Sequence, residues 1–414
     1  MNSAVCVDVG STYTKAAKID LRDARLISRA EVPTTSGTDV LHGLDAAIAA
    51  VGGGDELYVC SSAGGGLRLA VIGYEALVTA EAGHRVGLSA GAQVVHVASG
   101  PLSGPDLTAL RAARPDVLLL VGGTDGGDAE VLLHNARRLG KARIRIPVVL
   151  AGNADARGDA LAELAGVPVT AASNVLPRIG VLDPAPARAA IREVFLRHVI
   201  GGKRLSKGRR FASLVRAATP DAVLAGVELL ADLTGTGVLV VDVGGATTDV
   251  YSALVPDAES ESGPRRDVAG TLWRARTVEG DLGVAVGAAG TRAAAAAEKL
   301  PSPTDDLELA AAAAVIALRR HARGHSPGPG LPRTAGRDLR DVRLVVGSGG
   351  VLRHGGGDDV LGAVLADVGG GWAPPERAKT VVDEKYVLAA AGLLAVDHPQ
   401  VAAGLLGSSI RYGS

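Results

Sequence analysis

Residues 238–252 read VLVVDVGGATTDVYS, and the fold of the whole chain is best interpreted from this stretch. A run of valine and leucine ends at Asp242, passes through two glycines, and resumes as an alternating strand, which predicts strand, tight turn, strand. Because glycine tolerates positive φ and has no Cβ, such a turn brings backbone N–H groups and hydroxyls up to a phosphate. A glycine pair is also typical of an ordinary hairpin. The candidate phosphate-binding residues are Gly244, Gly245, Thr247 and Thr248.

The chain opens with a second copy of this pattern. Residues 5–18 read VCVDVGSTYTKAAK, in which Asp8 ends an apolar strand and a lysine follows on the next strand. Two strand–Asp–x–Gly turns so far apart in one chain predict two domains of like construction that face each other across a nucleotide. The candidate phosphate-binding residues of this first turn are Gly10, Ser11, Thr12 and Lys15.

Composition and length are compatible with two or more globular domains. The chain has 414 residues, of which 47% are hydrophobic and only 2% aromatic, so alanine, valine and leucine must fill the cores. The net charge of -1 gives no global basic field, and we expect no nucleic-acid partner. The sequence offers neither a signal peptide nor a membrane-spanning run, which predicts a cytoplasmic protein without a membrane partner. Cys6 and Cys60 are predicted to be buried free thiols.

The two turns resemble the phosphate loops of a known superfamily. The spacing D-x-G-S-x-x-x-K from Asp8, followed later by D-x-G-G from Asp242, is similar to the loops of the actin, sugar-kinase and heat-shock-chaperone ATPases. This resemblance implies an α/β fold with two actin-like ATPase domains around a nucleotide cleft. It also implies ATP and Mg²⁺ as cofactors, with the metal held by these two aspartates. A third turn resembles the adenosine loop of the superfamily, with candidate nucleotide-binding residues Gly347, Ser348, Gly349 and Gly350.

Residues 92–185 alternate strands, glycine-rich loops and helices, which predicts an inserted α/β unit with parallel strands. Its loop 122–127, GGTDGG, has two interpretations. The loop accepts a phosphate or a partner at a helix start, or Asp128 simply caps the helix. No Lys-Ser or Lys-Thr follows, as a Walker loop requires, so we favour capping and partner contact over a nucleotide.

Three segments of this unit carry a closer resemblance: LLLVGGTDGG, HNARRLG and VVLAGN. They resemble the glutamate mutase accessory family called MutL or GlmL, which is unrelated to the mismatch-repair protein of the same name. This resemblance covers nearly the whole chain and implies an adenosylcobalamin-dependent mutase as partner. The predicted domains are 1–91 for the first part of domain I, 92–185 for the inserted unit, 186–236 for the end of domain I with a connecting helix, and 237–414 for domain II.

Two acids are candidates for the catalytic group that orients the attacking water, Asp242 and Asp281. Asp281 lies in the loop 279–283, EGDLG, where it either approaches the γ-phosphate or serves only as an N-terminal helix residue. Val284 and Ala285 stand where relatives carry an arginine, which leaves open whether any arginine contributes. Small residues in the predicted helices at 222–233 and 383–396 would let these two helices approach each other closely. By resemblance, they cross between the domains as a hinge. Exposed loops are predicted at 256–267 and 323–340.

The leading hypothesis is an ATP-driven chaperone that helps a cobalamin-dependent mutase, such as glutamate mutase, exchange damaged cofactor. One alternative is a small-molecule kinase of the same fold, which requires an acceptor pocket with a base. Another is a nucleotide-bound scaffold with little turnover. The basic residues between 188 and 210 form either a solvated face or a surface for an acidic partner.

Overall fold

The computed structural model describes residues 2–63, 67–90, 92–200, 205–208, 210–255, 273–323, 336–369 and 372–410. The loop at 256–267 and most of that at 323–340 lie outside these residues. Three five-stranded sheets are present in the described ranges. The strands are β1 Ser3–Val9, β2 Tyr13–Asp20, β3 Arg25–Pro33, β4 Glu56–Ser61, β5 Arg68–Gly73, β6 Gln93–Ser99, β7 Val117–Leu120, β8 Val148–Leu150, β9 Val169–Ala171, β10 Val215–Ala218, β11 Gly237–Val243, β12 Thr248–Ala253, β13 Arg274–Glu279, β14 Val342–Gly349 and β15 Lys379–Val382.

Helices cover the sheets and connect them. They are α1 Val40–Ala50, α2 Thr79–Ser89, α3 Gly104–Ala112, α4 Glu130–Lys141, α5 Arg157–Glu163, α6 Ala185–Val194, α7 Arg210–Leu214, α8 Thr219–Thr234, α9 Ala288–Ala297, α10 Asp306–Arg323, α11 Gly357–Ala366, α12 Val387–Leu394 and α13 Pro399–Ser409, with π-helical turns at Phe195–Ile200 and Leu352–Gly356. Local sequence sets their ends. For example, α8 has Pro220 in its first turn and stops at Gly235, which adopts the left-handed φ of 61°. Within the described residues, no helix combines the length and apolarity needed to cross a membrane.

Two of the sheets have the same topology. The first has the order β10-β4-β1-β2-β3 and the second the order β15-β14-β11-β12-β13. In each, the first three strands form an antiparallel meander, and the last two strands lie parallel to the first. The predicted α/β fold, with two actin-like ATPase domains of like construction, is confirmed.

The third sheet belongs to the inserted unit and has the order β6-β5-β7-β8-β9, with every pair parallel. The predicted start of this unit at residue 92 is too late. Strand β5 lies before that residue and hydrogen-bonds to both β6 and β7, because its nearly continuous apolar run must be covered on both sides. We propose that the unit begins near residue 67, and the remaining domain boundaries stay predictions.

Helices α8 and α12 pack between the first two sheets. One apolar cluster contains residues of both helices together with Ala4 and Cys6 from β1 and Val240 from β11. The helices touch through backbone: a Cβ on Gly392 would lie 1.8 Å from the Ala222 carbonyl oxygen. The close approach predicted for these small-residue helices is confirmed.

Candidate nucleotide site

The two glycine turns have the same local geometry. In the first, the Gly10 N–H donates to the Tyr13 carbonyl oxygen at 3.0 Å, and in the second the Gly244 N–H donates to the Thr247 carbonyl oxygen at 2.9 Å. Each turn joins an antiparallel pair of strands, β1 to β2 and β11 to β12. Two turns at equivalent places in two equivalent sheets are what the repeated sequence pattern predicted.

Strand alternation determines which side chains face the space between the domains. Val7 and Val9 pack into the core of domain I, whereas Cys6 packs toward the interdomain helices, so Asp8 shares the interdomain face. Asp8 lies directly opposite Lys15 in the β1–β2 register. At the equivalent position of the second hairpin, Asp242 lies opposite Asp249. The hairpins therefore present one acid–base pair and one acid–acid pair to the cleft.

Asp8 is half-buried among polar groups. Its Oδ1 accepts a hydrogen bond from the Thr219 hydroxyl at the start of α8, and the Cys60 thiol lies 3.7 Å from the same oxygen. Burial raises the pKa of Asp8, the neighbouring Lys15 ammonium opposes that rise, and the negative charge of Asp242 adds to it. Asp242 therefore lies within electrostatic range of Asp8, and its role as a metal ligand stays a prediction.

Lys15 keeps its positive charge in this setting. Burial alone would lower its pKa, but Tyr386, Asp8 and Asp242 outweigh burial and the net pKa is raised. The Lys15 Nζ lies over the Tyr386 ring, 3.7 Å from its centroid. Arg353 stacks on the same ring, with its Cζ 4.1 Å from the centroid.

Sequence analysis did not single out Thr219, Tyr386 or Arg353. No periodic pattern marks them, because they meet only through long-range packing. Tyr386 carries a local signal in the structure, a left-handed φ of 58°, which is uncommon for a bulky residue. Tyr386 and Arg353 border a cavity of about 240 Å³ between β1–β3 and α12, which Asp8 and Lys15 also line.

One predicted phosphate ligand, Thr248, does not face the cleft. Thr248 is fully buried on the face away from the cleft, and its hydroxyl donates to the Leu282 carbonyl oxygen at 3.2 Å. Alternation explains this, since Thr248 neighbours the cleft-facing Asp249 and must point the other way. Thr14 is its buried counterpart in the first hairpin. The remaining turn residues stay predicted ligands: Ser11 and Thr12 are exposed, and Thr247 is half-buried.

The third turn lies at the end of β14, which pairs in parallel with β11 and so ends beside the second phosphate loop. Ser348 is aligned with Asp242 in that register. Gly349 has a φ of 111°, and a Cβ there would lie 2.1 Å from the Val243 carbonyl oxygen, so only glycine fits. A Cβ on Gly347 would meet the Leu352 side chain at 2.5 Å, whereas Gly350 faces open space.

Asp281 is engaged in a structural ion pair. Both of its carboxylate oxygens meet the Arg320 guanidinium, at 2.7 and 3.0 Å, and this pairing lowers its pKa. The segment that follows Asp281 contacts the second phosphate loop, because the Ala285 N–H donates to the Gly245 carbonyl oxygen at 2.8 Å. A carboxylate held in this way is a poor acceptor for a water proton, so we no longer assign Asp281 a catalytic role.

The predicted capping role of Asp128, directly after the loop GGTDGG, is wrong as stated, because the N-cap of α4 is Ala129, which makes no side-chain capping hydrogen bond. Asp128 accepts a hydrogen bond from the Glu130 N–H at 2.8 Å at the start of α4. Asn174 braces the loop by donating to the Gly123 carbonyl oxygen at 3.0 Å and to Asp125 at 2.9 Å. Because carboxylates already occupy this helix start, a phosphate is disfavoured there.

The donor set suits a magnesium nucleotide. In the part of the chain that the structure describes, no three His, Cys, Asp or Glu side chains come together as a metal site. Mg²⁺ does not need such a cluster, because it keeps several waters and binds through one or two carboxylates and phosphate oxygens. Asp8 and Asp242 meet that requirement. The buried Nε of Arg353, which has no hydrogen-bond partner among the described residues, is a further donor beside the cleft.

Solved structures of similar fold are remote from this chain. Xylulose kinase from Lactobacillus acidophilus is 10% identical, with 100% of this chain and 93% of the kinase covered and a TM-score of 0.34. Component A of (R)-2-hydroxyglutaryl-CoA dehydratase from Acidaminococcus fermentans is 9% identical, with 97% of this chain and 100% of that chain covered and a TM-score of 0.32.

Relatives found by sequence are more similar to this chain. Protein MutL from Clostridium tetanomorphum is 32% identical over 457 aligned positions, which cover 98% of each chain. The family described as MutL protein matches residues 4–308 and 304–410, which is almost the full length. The chain therefore belongs to the MutL family, the glutamate mutase accessory family that its motifs resemble.

Proposed function

We propose that this protein binds Mg²⁺-ATP in the cleft between its two actin-like domains and hydrolyses it to reactivate an adenosylcobalamin-dependent aminomutase such as glutamate mutase. The observation that carries the proposal is the placement of Asp8, Lys15 and Asp242, at equivalent positions of two equivalent hairpins, on the sheet faces that meet the interdomain helices. Membership of the MutL family supplies the mutase connection.

Each residue of this site has a role. The Lys15 ammonium pairs with phosphate oxygens, and the backbone N–H groups of the two glycine turns cradle them. Asp8 and Asp242 would hold Mg²⁺ through its bound waters, and the metal would supply neutralisation of the charge on the phosphates. Asp242 accepts a hydrogen bond from the attacking water and orients it toward the γ-phosphate. Thr219 fixes the Asp8 carboxylate through its hydroxyl.

The site is connected to the interdomain helices. Thr219 is the first residue of α8, and Tyr386 directly precedes α12, so both helices begin at the nucleotide site. Asp383 ties α12 to the third turn: its carboxylate accepts from the Val387 and Leu388 N–H groups, and its own N–H donates to the Gly347 carbonyl oxygen at 2.9 Å. Closure of the domains on ATP would rotate this helix pair and alter the surface offered to the mutase.

The test is Mg²⁺-ATP binding by calorimetry, together with hydrolysis, for the wild type and for two lysine variants. Lys15→Ala should weaken binding by about 10- to 100-fold, the value of a charge-assisted hydrogen bond. Lys18→Ala is the matched control, because Lys18 lies on the same strand with its Nζ at the surface, 3.3 Å from the Gly52 carbonyl oxygen. Equal affinities in all three proteins would refute the site. ATP consumption that depends on a small-molecule acceptor would indicate a kinase.

A further inference from the structure

The ring of Tyr386 is held between two cations from different domains. Lys15 Nζ, on β2 of domain I, lies 3.7 Å from the ring centroid. Arg353 Cζ, just after the third turn of domain II, lies 4.1 Å from it. Tyr386 itself precedes the interdomain helix α12. The ring thus joins the first phosphate loop, the third turn and the hinge region.

Tyr386 occupies this position against a local backbone preference. Its φ of 58° and ψ of 45° lie in the left-handed region, which Asn and Gly adopt far more readily than an aromatic residue. A residue in this conformation persists only when its surroundings enforce it, and such residues concentrate at functional sites. The aromatic side chain of Tyr386 is therefore present although the backbone at this position is strained.

Both cations are half-buried and incompletely satisfied by acids. The Arg353 side chain is 12% exposed, its ion pair with Glu31 is long at 3.8 Å, and its Nε lacks a hydrogen-bond partner among the described residues. An aromatic face attracts cations without neutralising them, and this attraction strengthens where water is excluded. The ring can therefore hold both groups at the cleft while leaving their N–H donors available to an anion.

We propose that Tyr386 is a positioning residue, whose ring sets the Lys15 ammonium and the Arg353 guanidinium in the geometry that receives the nucleotide phosphates. The inference rests on the proposed nucleotide site and adds a residue to it. Tyr386 acts through these two cations, which lie over its ring.

The experiment compares Mg²⁺-ATP affinity in three variants at position 386. Tyr386→Asn removes the ring but suits the left-handed backbone, so it should fold while its affinity falls about tenfold. Tyr386→Phe keeps the ring and should stay within about threefold of the wild type. In the Lys15→Ala background, adding Tyr386→Asn should lower the Mg²⁺-ATP affinity by less than about threefold, because one of the groups that the ring positions is already gone.

The outcomes separate the inference from the site itself. If Lys15→Ala leaves affinity unchanged, the nucleotide site is wrong and the inference falls with it. If Lys15→Ala weakens binding but Tyr386→Asn does not, or its tenfold loss is the same in both backgrounds, the inference alone is wrong. If Tyr386→Phe loses as much affinity as Tyr386→Asn, the ring is not the positioning element.

Discussion

Asp8 on β1 lies directly opposite Lys15 on β2, and both side chains face the cleft between the domains. The equivalent positions of the second hairpin hold two acids, Asp242 and Asp249, the latter bound to Arg276 at 2.7 Å. A duplicated structural element therefore carries different charges in its two copies. In the proposed site, this asymmetry places a cation for the phosphates on one side and a carboxylate for Mg²⁺ on the other.

Asp8→Asn should stabilise the nucleotide-free protein while weakening Mg²⁺-ATP binding. Burial raises the pKa of Asp8, so the folded state disfavours its charge. A carboxyl whose folded pKa exceeds its unfolded pKa costs stability as pH rises through the unfolded value of 3.8 toward the folded one. At pH 7 the variant should therefore have a higher free energy of unfolding than the wild type.

Denaturation of both proteins between pH 4 and pH 7 checks this. The stability difference between Asp8→Asn and the wild type should widen as pH rises. A difference that is constant with pH, or a variant less stable at pH 7, would contradict the account of Asp8 as a strained functional carboxylate.

Asp242→Asn should strongly lower ATP turnover, whereas Asp281→Asn should leave it nearly unchanged. Loss of the water-orienting carboxylate should lower ATP turnover by at least about 100-fold. Loss of the Asp281 ion pair should leave turnover within about threefold and cost less than about 1 kcal/mol of stability, because the Asp281 side chain is half exposed and the Arg320 partner keeps Glu279 at 2.6 Å. Steady-state hydrolysis decides between them. A collapse of turnover in Asp281→Asn would restore its catalytic assignment.

Gly392→Ala should disrupt the contact between α8 and α12. The added Cβ would lie 1.8 Å from the Ala222 carbonyl oxygen, so the helices must separate, at a cost of roughly 1–3 kcal/mol. Gly362→Ala is the matched control, because Gly362 is exposed in α11 with open space around it and should gain about 1 kcal/mol of helix propensity. Urea unfolding measures both. Similar stabilities for the two variants would mean that the helices do not pack this closely.

Local sequence rules predicted the parts of the molecule that depend on local physics. The two hairpins follow from apolar runs broken by Asp-x-Gly, and the α8–α12 contact follows from small residues on both helices. The alternation of side chains along a strand would also have excluded Thr248 as a phosphate ligand, since Thr248 neighbours the cleft-facing Asp249 on the same strand. The error came from treating adjacent threonines as equivalent, although neighbours on a strand point in opposite directions.

The remaining features depend on contacts between distant segments. The role of β5 as a central strand of the inserted sheet depends on pairing partners that lie up to about 50 residues away in the chain. The pairing of Asp281 with Arg320 joins a loop to a helix after a long intervening segment. The stacking of Lys15 and Arg353 on Tyr386 brings together three segments that are neighbours only in the folded protein.

The most direct test of the central claim is reactivation of a mutase. Glutamate mutase inactivated with hydroxocobalamin is mixed with this protein, adenosylcobalamin, ATP and Mg²⁺, and mutase activity is followed alongside ATP hydrolysis. We predict that activity returns with the wild-type protein, and that it does not return without ATP or with Asp242→Asn. Hydrolysis without any return of activity, or an equal return with Asp242→Asn, would contradict ATP-driven reactivation.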